Sequence, residues 1–173
     1  ESTIKEYALD IQAAGRTLLT IINDILDLNK IESGKMEIVP VEYDVSSMIY
    51  DLTNMIKVRA EDKKLSFIVS VSPDIPARLR GDDVRIRQIL MNLLTNAVKY
   101  TQSGTVWFRV SLKAKEDGEN GENAVLHFEV EDTGIGIKPE DMSKLFSEFE
   151  RIEIERNRNI EGTGLGMPIT MKL

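Results

Sequence analysis

The chain has 173 residues, 42% apolar and 29% charged, which suits an ordinary globular protein with one well-filled core and an appendage. A net charge of −7 argues against a nucleic-acid partner, the lack of Cys excludes disulfides and thiol chemistry, and the single His127 excludes a His-rich metal centre. No apolar run approaches the ~20 residues of a membrane span, and the opening residues do not read as a signal peptide.

Residues 3–33 carry a heptad: Ile4, Ile11, Leu18 and Ile25 recur every seven positions, interleaved with Tyr7, Ala14, Ile21 and Leu28. Leu19, Ile22 and Leu26 widen the stripe beyond a two-stranded seam, which suits a bundle. Such a helix spans roughly 45–50 Å, too long and too apolar to be covered by its own chain alone. "ESGK" breaks the pattern, with Gly34 at the expected C-cap.

The remainder has α/β patterning. "EIVPVEYDV" reads as an edge strand, since Pro40 is tolerated there. A helix over 46–62, capped by Asp44 or Ser46, leads to the alternating strand "LSFIVSVS" and the short strand "ARLRGD". A helix over 83–100 follows. The strands "TVWFRVSLKAK" and "AVLHFEVED" flank "EDGENGEN", which reads as a hairpin loop. "KPEDMSKLF" predicts a short helix with Pro139 in its first turn, residues 150–161 a mobile charged loop, and Met167–Pro168 the start of a last helix. Antiparallel strands beside helices, without strict βαβ alternation, predict an α+β sandwich with helices on one face. The chain opens and closes in mid-pattern and reads as a fragment.

Within "NLLTNAVKY" two amides, Asn92 and Asn96, stand four residues apart and therefore on one helix face. Amide oxygens are hard neutral ligands that suit Mg²⁺ against phosphate, although an isolated Asn pair is more plainly read as two partly exposed amides. Lys99 and Tyr100, one turn on, offer a charge to phosphate and a ring to a base. Asp132 ends a strand in "EDTGIGI", where it is either a turn former or an acceptor for a ligand amino group. "EGTGLGM" runs into a helix and suggests a phosphate cradle, yet lacks the Gly-Lys-Ser/Thr of a P-loop.

These motifs stand in the order of a known family. "RIRQILMNLLTNAVKYT" resembles the N box of sensor histidine kinases, "EDTGIGI" their G1 box, "LFSEFERI" their F box and "EGTGLGM" their G2 box, with an ATP-lid-like stretch between the last two. "LLTIINDILDLNKIESGKMEI" resembles the second helix of their dimerisation domain. The resemblance covers nearly the whole chain. It implies the Bergerat ATP-binding fold of the GHKL superfamily, a two-layer α/β sandwich with a mixed, mostly antiparallel sheet under helices. Residues 1–34 would be the dimerisation helix and 35–173 the catalytic domain.

The resemblance further implies that Asn96 coordinates Mg²⁺ with Asn92 assisting, that Lys99 contacts phosphate and that Tyr100 lies against adenine. Asp132 would accept from the adenine amino group, with Gly134, Ile135 and Gly136 letting the ring approach. Gly162, Thr163, Gly164, Leu165 and Gly166 would wrap the triphosphate of ATP. Phe146 and Phe149 would anchor the lid, and Arg156 or Arg158 would reach the γ-phosphate. The implied partners are a second copy, joined through the N-terminal helix into a four-helix bundle, and a response-regulator receiver domain. The implied setting is cytoplasmic with no membrane contact from this fragment, whether or not the parent protein is anchored.

ATP-hydrolysing members of the superfamily carry Glu where this chain has Asn92, and an amide takes no proton at neutral pH. That favours phosphoryl transfer to an incoming nucleophile over hydrolysis. The rivals are a GHKL ATPase or protein serine kinase, which Asn92 and the dimerisation helix disfavour, and a non-catalytic ATP-binding or dimerising module. The family's acceptor histidine lies upstream of the matching helix, and His127, alternating with Val125 and Glu129, is expected on a strand surface. The chain is therefore not expected to phosphorylate itself. The family's last two strands would follow Leu173.

Overall fold

The structure, a computed structural model, describes residues 2–118, 121–145, 147 and 163–173. They fall into two compact units, one of residues 1–37 with 141–173 and one of residues 38–140.

The larger unit holds strands β1 (Val41–Asp44), β2 (Ser66–Val71), β3 (Arg78–Gly81), β4 (Thr105–Gly118) and β5 (Gly121–Asp132), with helices α2 (Val45–Asp62) and α3 (Asp83–Tyr100). Both helices start where an aspartate side chain accepts a main-chain N–H of the first turn: Asp44 from Ser47 at 2.7 Å and Asp82 from Arg85 at 3.1 Å. Pro40 lies just outside β1 rather than within it. β1 pairs with β3 antiparallel as a separate ribbon, while β4 pairs parallel with β2 and antiparallel with β5. The expected mixed sheet under helices is present, split into two pieces among the described residues.

The core lies between these helices and the inner face of the three-stranded sheet. Met48, Leu52 and Ile56 of α2 meet Leu90, Leu94 and Val98 of α3 over Val106, Phe108 and Val110 of β4. The Phe108 and Phe128 rings stack at 6.5 Å across β4 and β5. One expectation is corrected here. "EDGENGEN" is largely strand, because the ladder continues through Glu116↔Asn123 to Gly118↔Gly121. Turn-forming residues marked the reversal, but the backbone pairs of a two-stranded ribbon persist up to it.

The other unit pairs α1 (Ser2–Glu32) with α4 (Gly166–Lys172). Gly34 (φ +66°) ends α1 as expected: its N–H bonds to Ile31 O and the Lys35 N–H to Lys30 O, the two bonds of a Schellman cap. Leu28 packs with Leu165 and Ile169, and Lys172 pairs with Glu32 at 2.8 Å. Most of the rest of the heptad stays open to solvent, with Ile4, Ile11 and Leu18 more than half exposed and Ile21 half-buried. The segment Pro139–Lys144 is a 3-10 turn with Pro at its first position. No helix among the described residues is long and apolar enough to cross a membrane.

Candidate functional site

α3 turns Leu90, Leu94, Ala97 and Val98 into the core, which leaves Asn92, Asn96, Lys99 and Tyr100 half-buried on the rest of its surface. Asn96 Nδ2 donates to Asn92 Oδ1 at 3.3 Å. The i,i+4 spacing therefore places both amides on one face, as the sequence predicts. That bond occupies the nitrogen of Asn96 and leaves its oxygen as the group able to meet a cation. Among the described residues no cluster of three His, Cys, Asp or Glu could hold a metal. A divalent ion here would rest on amide oxygen, water and ligand phosphate, a donor set that suits Mg²⁺.

Lys99 Nζ lies 4.8 Å from the centre of the Tyr100 ring. The ring holds the ammonium by a cation–π contact while keeping it among the half-buried residues at the end of α3.

β5 delivers Asp132 beside this helix end. Asp132 Oδ1 accepts the Gly134 N–H at 2.8 Å and lies 3.5 Å from the Thr101 hydroxyl oxygen. Thr101 is fully buried and donates its one hydroxyl proton to Ala97 O at 2.7 Å. The loop closes where the Ile135 N–H reaches Tyr100 O at 3.3 Å. Among the described residues both of these contacts fall on Oδ1, which leaves Oδ2 to a ligand donor. The carboxylate itself is exposed.

Two glycines are required by this geometry. A Cβ on Gly134 would sit 2.6 Å from both Tyr100 O and Asp132 Oδ1, and Gly136 adopts φ +67° with open space beyond it.

The structure thus brings Asn92, Asn96, Lys99 and Tyr100 together with Asp132, Gly134, Ile135 and Gly136 in one unit. Thr163, Gly164, Leu165 and Gly166 belong to the other unit, where Gly164 has φ +73°. There the Thr163 hydroxyl donates to Asp24 Oδ2 at 3.0 Å and accepts the Leu165 N–H at 3.1 Å. The Leu165 side chain is fully buried. Burial pushes the Asp24 carboxyl up, against the lowering effect of the Thr163 bond. No sequence signal linked residues 139 positions apart. Phe146, Phe149, Arg156, Arg158 and Gly162 lie outside the described residues. His127 is on the exposed surface of β5, 4.0 Å from Glu129, as expected of a strand residue pointing outward.

The model of a family described as histidine kinase-, DNA gyrase B-, and HSP90-like ATPase matches residues 81–173. Hybrid signal transduction histidine kinase B of Dictyostelium discoideum is 38% identical over 173 residues, 100% of this chain and 9% of that protein. The sensory/regulatory protein RpfC of Xanthomonas campestris pv. campestris is 37% identical over 169 residues, 98% of this chain and 23% of that protein. Among solved structures, full-length ShkA in complex with AMPPNP is similar with a TM-score of 0.76 and 27% identity, over 97% of this chain and 33% of that one. The chain therefore spans under a quarter of these curated relatives.

Proposed function

The chain belongs to the family of histidine kinase-, DNA gyrase B-, and HSP90-like ATPases, and from that premise we propose that it is the ATP-binding catalytic part of a two-component sensor histidine kinase. The observation that carries this reading is the bonded pair Asn96–Asn92 beside Lys99, Tyr100 and Asp132 at the end of one helix. Asn92 is an amide and takes no proton from water, so the site lacks at this position the base that hydrolysis needs. Its chemistry is instead to hold and orient a triphosphate for an outside nucleophile.

In this reading Asp132 Oδ2 accepts from the adenine amino group, Tyr100 lies against the ring, and Gly134, Ile135 and Gly136 give it room. Lys99 meets phosphate. Asn96 Oδ1 holds Mg²⁺ with Asn92 in its shell, and the ion supplies neutralisation of phosphate charge. Thr163, Gly164 and Gly166 are assigned to phosphate through main-chain N–H groups, with Leu165, whose own N–H goes to the Thr163 hydroxyl, holding the loop by its buried side chain. The same role extends to Gly162, and lid roles to Phe146, Phe149, Arg156 and Arg158. A histidine of the whole protein attacks the γ-phosphorus as the bond to the ADP oxygen breaks, and a receiver aspartate takes the phosphoryl group next. Residues 1–34 serve as a dimerisation helix and 35–173 as the catalytic domain. The solvent-exposed heptad of α1 supports pairing with a second copy into a four-helix bundle.

Calorimetric titration with ATP, with and without Mg²⁺, tests the reading against an Asp132→Asn variant. Binding that strengthens with Mg²⁺ and is lost in the variant is expected. Undiminished binding by Asp132→Asn would remove the adenine assignment, and no binding by the parent chain would remove the reading.

A further inference from the structure

Beyond α2 the chain turns through Lys63 and Lys64 (φ +58°) into β2. From this turn Lys63 Nζ reaches the far end of α3 and donates to the carbonyls of Val98 at 2.9 Å, Lys99 at 2.8 Å and Thr101 at 3.2 Å. An ammonium has three N–H donors, and here all three go to one helix terminus. Resting on the ATP reading above, we propose that Lys63 is a positioning residue that sets the adenine-reading carboxylate of Asp132 through the C-terminal turn of α3.

The last carbonyls of a helix lack intrahelical partners, and a cation is the charge that suits them. At this end each is accounted for. Ala97 O accepts the Thr101 N–H and hydroxyl, Tyr100 O accepts the Ile135 N–H, and Lys63 serves Val98, Lys99 and Thr101. The choice of carbonyls distinguishes Lys63 from a plain cap. Those of Lys99 and Thr101 flank Tyr100, so Nζ clamps the turn on both sides of the carbonyl that docks the Gly134–Ile135 loop. The clamped Thr101 is also the residue whose hydroxyl approaches Asp132 Oδ1. Released from Lys63, the turn would swing into the helix-end geometries that water permits, and Asp132 would lose its fixed aim.

The test uses the full chain and compares Mg·ATP with Mg·inosine triphosphate, which carries a carbonyl where ATP carries the amino group that Asp132 reads. Losing a positive charge, or some stability, weakens both nucleotides alike; misaiming Asp132 changes their ratio. In Lys63→Met the preference for ATP should fall roughly tenfold, while Lys63→Arg, which keeps charge and donors, should restore most of it. A Lys63→Met chain that is folded by circular dichroism and keeps the parental ratio overturns the proposal. Should Lys63→Met fail to fold, Lys63→Gln carries the decision: a partial fall supports the proposal and a parental ratio overturns it. A parent chain with no preference for ATP refutes the adenine reading before any Lys63 variant is measured, and the inference falls with it.

Discussion

Gly134→Ala places a methyl group where the structure has no room. The added Cβ would stand 2.6 Å from Asp132 Oδ1 and 2.6 Å from the main-chain oxygen of Tyr100, with the Tyr100 carbonyl carbon at 3.0 Å. A carboxylate can rotate, but the Tyr100 carbonyl is fixed by the helix behind it and by the Ile135 N–H. Relief therefore comes from turning Asp132, lifting the loop, or both. Overpacking of this kind costs about 1–3 kcal/mol. At Gly136 the same substitution meets nothing within 4 Å and bears only the strain of φ +67°, about 1 kcal/mol. Trp107 is the only tryptophan and lies on β4 of the same unit, so its fluorescence during urea unfolding reads that unit directly. With a slope of about 2 kcal/mol per molar urea, Gly134→Ala should lower the midpoint by ~1 M and Gly136→Ala by about half as much. ATP affinity should fall at least tenfold in Gly134→Ala, since the displaced oxygen belongs to Asp132. A Gly134→Ala chain no less stable than Gly136→Ala, with parental ATP affinity, would refute the close approach.

Leu94 is fully buried at the centre of the helical layer, and Leu94→Ala should cost about 2–5 kcal/mol by the same fluorescence measurement. The two helix caps set an acid limit. The Val39 N–H holds the Asp82 carboxyl below its ordinary range, and the Ser47 N–H does the same for Asp44. Folding therefore favours their ionised forms; the gain is complete above the unfolded value, about 4, and is lost as pH falls through the lowered folded values. The urea midpoint should decline below about pH 4, and less steeply in Asp82→Asn, which caps without a charge. Asp24 runs the other way. Burial raises its carboxyl, so the folded unit favours the protonated acid and weakens as pH rises through that raised value. Asp24→Asn keeps an acceptor for Thr163, and thermal melts across pH should show that slope removed.

What the sequence made legible was local. α3 runs over 83–100 as expected because its cap, its buried stripe and its last turn all lie within that stretch and agree. Asn92 with Asn96, and Lys99 with Tyr100, were readable for the same reason, since spacing on a helix fixes which side chains meet. The sheet was harder: β2 joins β4 in parallel across an intervening strand and helix, and no periodicity encodes that pairing. Lys63 went unnoticed because its partners lie 35 to 38 residues away and are main-chain carbonyls, which carry no signature in side-chain identity. Asp24 with Thr163 is a bond between two side chains, but 139 residues separate them and no local spacing links them.

The asparagine pair shows why a local motif needs a tertiary setting before it acquires a function. Two amides on one face can satisfy each other, and the Asn96–Asn92 bond is what a merely structural pair would also make. Nothing in that bond calls for a nucleotide. The difference lies at the helix end, where Tyr100 O receives the Ile135 N–H and Thr101 approaches Asp132, so that a strand and a glycine loop converge on the turn bearing Lys99 and Tyr100. A structural amide pair has no need of an exposed carboxylate with an oxygen to spare and a glycine that admits no Cβ beside it. A site for a purine carrying phosphates can use both, and it is their convergence on one helix terminus that makes the amides candidate ligands.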